Sequence, residues 1–159
     1  PTTGLTEQSF EAHGAAETES RIAQAQQAFE TLRGTTFAQR AEWMRAAADL
    51  LEADVDATSR MLTVEMGKPI AQSVAEVLKC ARTMRFYADH AGGFLAEERL
   101  GGRGAVNASA AWTRYEPLGV VLAVMPWNYP LWQVLRFAAP ALMAGNAASR
   151  ARPALQTTP

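Results

Sequence analysis

The sequence predicts an α/β fold that is mostly helical and closes on a parallel strand, a rigid turn and a helix. Three observations predict it. Apolar residues recur at helical spacing through three segments before Gly92. GVVLAVM at 119–125 is a continuous apolar run of strand length, the signature of a strand buried on both faces of a parallel sheet. PWNYP at 126–130 then leads straight into another apolar helical pattern.

The elements follow in order. The first fifteen residues are mostly polar and read as strand or loop. From about Glu17, Ile22, Ala25, Phe29 and Leu32 share one helical face, and Gly34 closes the segment. Thr36 and Gln39 have the spacing of a capping box, and Met44, Ala47, Leu51 and Val55 continue a second helix on one side. A short segment, MLTVEMG, ends at Gly67. Pro69 suits the first turn of a third helix, where its missing N–H costs nothing. Ile70, Val74, Val77, Ala81, Met84, Ala88 and Ala91 form its stripe, with Gly92 and Gly93 as its end.

After the glycines at 101, 102 and 104, residues 106–117 read as two short strands of a hairpin around Val106, Trp112 and Tyr115. The last helix spans about Pro130 to Ala144, with a kink at Pro140 and a stop at Gly145-Asn146. A parallel strand followed by a helix requires a second parallel strand. AASRARPALQTTP offers no apolar run and two prolines, so the expectation is a strand without a partner.

Composition narrows the function classes. A hydrophobic content of 48% with 19% charged residues is globular, which argues against wholesale disorder. A formal net charge of −1 supplies no field to gather nucleic acid or an anionic membrane. No apolar run reaches the ~18–20 residues that cross a bilayer. The first residues lack the basic-then-apolar pattern of an export signal. One cysteine, Cys80, excludes an internal disulfide and suits a reducing, cytoplasmic setting. Thirteen of the 15 basic residues are Arg, a bias that fits a G+C-rich coding sequence.

Chemistry concentrates at PWNYP. In open α/β sheets ligands sit beyond the C-terminal ends of strands, against helix N-termini. Two prolines stiffen the turn and hold Asn128 in place, where its amide can donate to a developing oxyanion. One such donor contributes about 3 kcal/mol to a transition state. The alternative is that Asn128 merely caps the next helix. Tyr129, Trp132, Gln133 and Arg136 share a second face of that helix, beginning beside Asn128 and ending in a guanidinium able to fork a carboxylate. That face would suit an aldehyde with a distal acid group, or equally a solvated or interdomain surface.

YEPLGVVLAVMPWNYPLWQVLRFAAPALMAGN resembles the aldehyde dehydrogenase superfamily, most of all its succinate-semialdehyde dehydrogenase branch, and LTVEMGKPIAQSVAEVLKCA resembles the MGKP segment of the same family. The resemblance runs from about Pro1 to Asn146. It implies the N-terminal fragment of an aldehyde dehydrogenase fold: residues 1–146 as part of the cofactor-binding domain, with an oligomerisation hairpin at about 106–117, and 147–159 as a non-family tail. It also implies oxidation of an aldehyde to its acid with NAD or NADP through a thioester on a cysteine. By match, Asn128 is the oxyanion donor, and Met125, Pro126, Trp127 and Asn128 border the cofactor. Tyr129 and Trp132 flank the substrate tunnel, and Arg136 takes the substrate carboxylate. No metal site is implied. The implied partners are a small aldehyde and other chains met through the hairpin.

The family pattern breaks after Asn146. Aligned without gaps, Ala151 stands where the family has a lysine for the cofactor ribose, and the glycine-rich cofactor turn, Glu base and Cys nucleophile do not follow. Cys80 lies within a helix with no neighbour to depress its pKa and reads as a structural thiol. The 101–104 glycine cluster follows no strand, so it is no dinucleotide turn. His13 and His90 are isolated. The expectation is a truncated chain, inactive alone and arising by a reading-frame slip; the alternative is a non-enzymatic module that pairs with a full-length relative or a complementing chain.

Overall fold

The computed structural model describes residues 4–6, 9, 11–100 and 108–151, and for 149–151 the backbone only. The chain enters helix α1 (Ala15–Leu32), which buries Phe29 and leaves Ile22 at the surface. Thr36 then starts α2 (Phe37–Ala53) with a complete capping box. The Gln39 backbone N–H donates to Thr36 Oγ1 (3.2 Å), and the Thr36 backbone N–H donates to Gln39 Oε1 (2.9 Å). Asp54 breaks the expected continuation, so Val55 opens a separate helix, α3 (Val55–Met66). Gly67 ends it in the left-handed region at φ 68°, a conformation that side chains disfavour.

Helix α4 (Ile70–Phe94) follows Pro69 and passes through Gly92 and Gly93 rather than ending there. Its buried face holds the predicted stripe from Val77 through Ala81, Met84 and Ala88 to Ala91, joined by Ser73, Glu76 and Cys80, while Ile70 at the start of the helix is exposed. Helices α2, α4 and α5 (Trp132–Met143) meet in one core of Ala41, Met44, Ala48, Ala81, Met84, Ala88, Ala91, Ala139 and Met143. Alanines make most of that contact, and three methionines fill the remaining gaps. Outside it, Arg85 joins α4 to α2 through Asp49 and Glu52 (each 2.6 Å).

Two small sheets complete the fold. Strands β1 (Glu98–Arg99) and β2 (Trp112–Thr113) pair antiparallel, Glu98 opposite Thr113. The hairpin therefore exists, but its first strand precedes the glycine-rich stretch instead of lying within 106–117. Residues 106 and 107, like the glycines at 101–104, lie outside the described residues.

The second sheet overturns the expectation of a lone strand. Strand β3 (Val120–Val124) pairs in parallel with β4 (Ala147–Ala151), Val120 opposite Ala147 through to Val124 opposite Ala151. The sequence reading ends the folded unit at 146; the ladder carries it to Ala151. The ladder is made by backbone groups, which an Ala-Ala-Ser-Arg-Ala segment supplies as well as an apolar one. The turn before it sets the register. Gly145 (φ 89°) turns the chain, and Asn146 Oδ1 accepts from the N–H of Leu118 (2.7 Å) and of Gly119 (3.2 Å). Asn146 Nδ2 reaches back to the Ala141 carbonyl (3.3 Å), and the Ala147 N–H donates to Gly119 (3.1 Å). Nor is β3 buried on both faces. Ala123 is buried, whereas Leu122 and Val124 are 66% and 61% exposed on the opposite side of the pleat.

Candidate active site

The turn 126–130 sits between the C-terminal end of β3 and the first residue of α5, where an α/β sheet offers its ligand crevice. Asn128 lies exposed in that turn. Gln133 Nε2 donates to its Oδ1 at 3.4 Å, so the amide oxygen is the engaged atom. No hydrogen bond among the described residues involves its Nδ2, the atom that would donate to an oxyanion. Asn128 is not the helix cap: α5 begins after Leu131 with no capping bond from a side chain of its own segment.

The cap comes from α4. Glu76 is 4% exposed, and its Oε1 accepts from the N–H of Leu131 (3.1 Å) and of Trp132 (2.9 Å). A carboxylate there satisfies two of the donors a helix start leaves open and meets the positive end of its dipole. Glu76 Oε2 is hydrogen-bonded to Lys68 Nζ, a pair almost wholly withdrawn from solvent. Lys68 in turn lies over the Tyr129 ring, 4.5 Å from its centroid, and Lys79 lies 3.6 Å over Trp132. Gln72, Ala75, Glu76, Lys79, Tyr129 and Trp132 line an open groove of about 300 Å³.

Of the residues the sequence singled out, the structure gathers Tyr129 and Trp132 into this groove. Asn128 borders it in sequence. Met125 is partly buried at the end of β3, and Pro126 and Trp127 are exposed in the turn. Arg136 is exposed one turn beyond Trp132 and is not among the groove-lining residues. Sequence reasoning missed Glu76, Lys68 and Lys79. A signal existed: Glu76 shares its helix face with Val77, Cys80 and Ala81, where a charge requires a partner. Lys68 and Lys79 are also the only two lysines of the sequence.

Cys80 is completely buried on α4, and burial, then the nearby Glu76 charge, push its thiol up to about 12. This is the opposite of what a nucleophile needs. Ala151, expected in place of the family lysine, lies opposite Val124 at the end of the ladder.

A strand, a proline-braced turn whose Asn128 amide nitrogen makes no hydrogen bond among the described residues, and a helix capped from a neighbouring element form the class of site found where an α/β sheet meets its ligands. The chain belongs to the aldehyde dehydrogenase family, whose model matches residues 1–158. It is 58% identical over 147 residues to a succinate-semialdehyde dehydrogenase [NADP(+)] 1 of Mycobacterium ulcerans, covering 92% of this chain and 32% of that protein. An aldehyde dehydrogenase of Paenarthrobacter nicotinovorans is 53% identical over 146 residues, again 32% of its length. Among solved structures, succinic semialdehyde dehydrogenase from Streptococcus pyogenes, in complex with NADP+, superposes with a TM-score of 0.84 at 26% identity, covering 92% of this chain and 31% of that one. The chain thus spans about a third of the length of the relatives it matches. Among the described residues no helix is long and apolar enough to cross a membrane.

Proposed function

We propose that this chain supplies the oxyanion-binding third of an NAD(P)-dependent aldehyde dehydrogenase acting on succinate semialdehyde, and that it is inactive alone. The observation that carries the reading is Asn128: it stands at the end of β3, its oxygen is engaged by Gln133, and its amide nitrogen is left to donate. In this reading the nitrogen stabilises the negative charge that builds on the aldehyde oxygen as a thiolate adds to the carbonyl. Met125, Pro126 and Trp127 border the nicotinamide cofactor, NAD or NADP, which accepts the hydride when bound. Tyr129 and Trp132 wall the aldehyde's path, and Arg136 meets its carboxylate.

Inactivity follows from the nucleophile. The only cysteine among the 159 residues is Cys80, buried and poorly acidic, so no thiolate here can form the covalent intermediate. The test mixes the chain with succinate semialdehyde and NADP+, alone and after assembly with the remaining two thirds of the Mycobacterium ulcerans relative. No NADPH forms from the chain alone, and turnover appears on assembly. NADPH from the isolated chain would refute inactivity; an assembled but inert pair would refute the enzymatic reading.

A second reading is favoured by Leu122 and Val124, two large apolar side chains exposed side by side on β3. In that reading the chain is a non-enzymatic module whose open β3 face pairs with a full-length relative or a complementing chain. A monodisperse monomer that captures neither would rule it out.

A further inference from the structure

We infer that Glu76 and Lys68 are positioning residues that hold the Asn128 turn from outside its own segment. The inference rests on the reading of Asn128 as the oxyanion donor and adds the device that aims it. Six contacts carry it. Glu76 Oε1 takes the N–H groups of Leu131 and Trp132, which fixes the first turn of α5 three and four residues after Asn128. Glu76 Oε2 holds Lys68, and Lys68 covers the face of Tyr129, the residue directly after Asn128. The Gln133 N–H donates to the Tyr129 carbonyl (2.9 Å), and the Gln133 side chain reaches Asn128 Oδ1. One buried carboxylate therefore restrains both the helix that carries Gln133 and the ring beside Asn128.

The arrangement needs two acceptor oxygens on one side chain. A glutamine at 76 has a single oxygen and an NH2 group. It can serve the helix start or Lys68, but one of the two must then face a donor. Removing Lys68 frees the glutamine oxygen for the helix, so a second substitution should undo the harm of the first. A residue that only stabilises the fold has no reason to show that reversal.

The experiment uses the full chain and NMR. In Glu76→Gln the Asn128 side-chain NH2 resonances shift, and amide exchange at Leu131 and Trp132 rises at least about tenfold, as expected for a lost hydrogen bond worth over 1.4 kcal/mol. Exchange at Ala48, in the α2 core, is unchanged. In Lys68→Met/Glu76→Gln the Leu131 and Trp132 protection returns toward the parent. Lys68→Met alone keeps that protection but moves the Tyr129 ring and Asn128 signals. The inference is overturned if the Asn128 signals stay put in Glu76→Gln, if the double variant shows no recovery, or, should Glu76→Gln not fold, if Lys68→Met leaves Tyr129 and Asn128 unmoved. No turnover is measured, so this outcome is separate from the assembly assay: a failed device with an active assembly leaves the proposed function standing, and the reverse result leaves the device standing.

Discussion

Arg40 on α2 donates through Nε to the backbone carbonyl of Met143, the last residue of α5, at 3.0 Å. The same guanidinium donates through Nη1 to the Thr35 carbonyl (2.5 Å) and lies 4.6 Å over the Phe37 ring. It is 7% exposed, so its charge rests on these carbonyls and that ring. A cation at a helix C-terminus meets the negative end of the dipole and satisfies a carbonyl that the helix leaves open. With Glu76 at the other end, α5 is clamped by an anion at its start and a cation at its finish, each from a different helix.

Arg40→Met should therefore destabilise the chain by about 2–3 kcal/mol, the cost of leaving buried carbonyls without a charged donor. Arg40→Lys should recover only part, because one ammonium cannot reproduce the fork. Urea unfolding of the three proteins measures this.

Asn146 sets the start of the parallel ladder. Asn146→Ala should cost about 2 kcal/mol and speed amide exchange at Leu118 and Gly119, both of which lose their acceptor. Asn146→Asp keeps an oxygen for those N–H groups, so exchange at Leu118 and Gly119 rises less, although a buried carboxylate oxygen then faces the Ala141 carbonyl. Hydrogen exchange on both variants checks the order.

Cys80 should be inert to iodoacetamide in the folded chain and react fully once the chain is denatured. Its pKa is raised by folding, from about 9 to about 12, so above pH 9 the unfolded chain loses a proton that the folded chain keeps. Stability from this group is complete below pH 9 and is lost progressively as pH rises toward about 12. Comparing Cys80→Ala with the parent between pH 8 and pH 11, a window chosen around that range, isolates the effect: the parent's slope is steeper.

What the sequence made legible was local. Thr36 and Gln39 announce their capping box, Gly67 its left-handed stop, and the strand–PWNYP–helix order its place at a sheet end, because each rests on neighbours in the chain. The misses are tertiary. β4 has no apolar pattern to read, since its partner is selected by the backbone and by the Asn146 turn. β3 looks buried on both faces because composition does not show that Leu122 and Val124 lack a covering layer. The Glu76 cap joins residues 55 and 56 positions apart, beyond the reach of any local motif. Arg136 fits the helix face by spacing, yet the groove takes Tyr129 and Trp132 without it.

The most direct test of the account is the steady-state rate of Asn128→Ala against the parent chain, each assembled with the remaining two thirds of the Mycobacterium ulcerans relative and supplied with succinate semialdehyde and NADP+. Loss of the amide donor should lower kcat by about 10²–10³-fold while leaving KM nearly unchanged, since the bond strengthens only as charge builds on the oxygen. An Asn128→Ala assembly that turns over as fast as the parent assembly would contradict it.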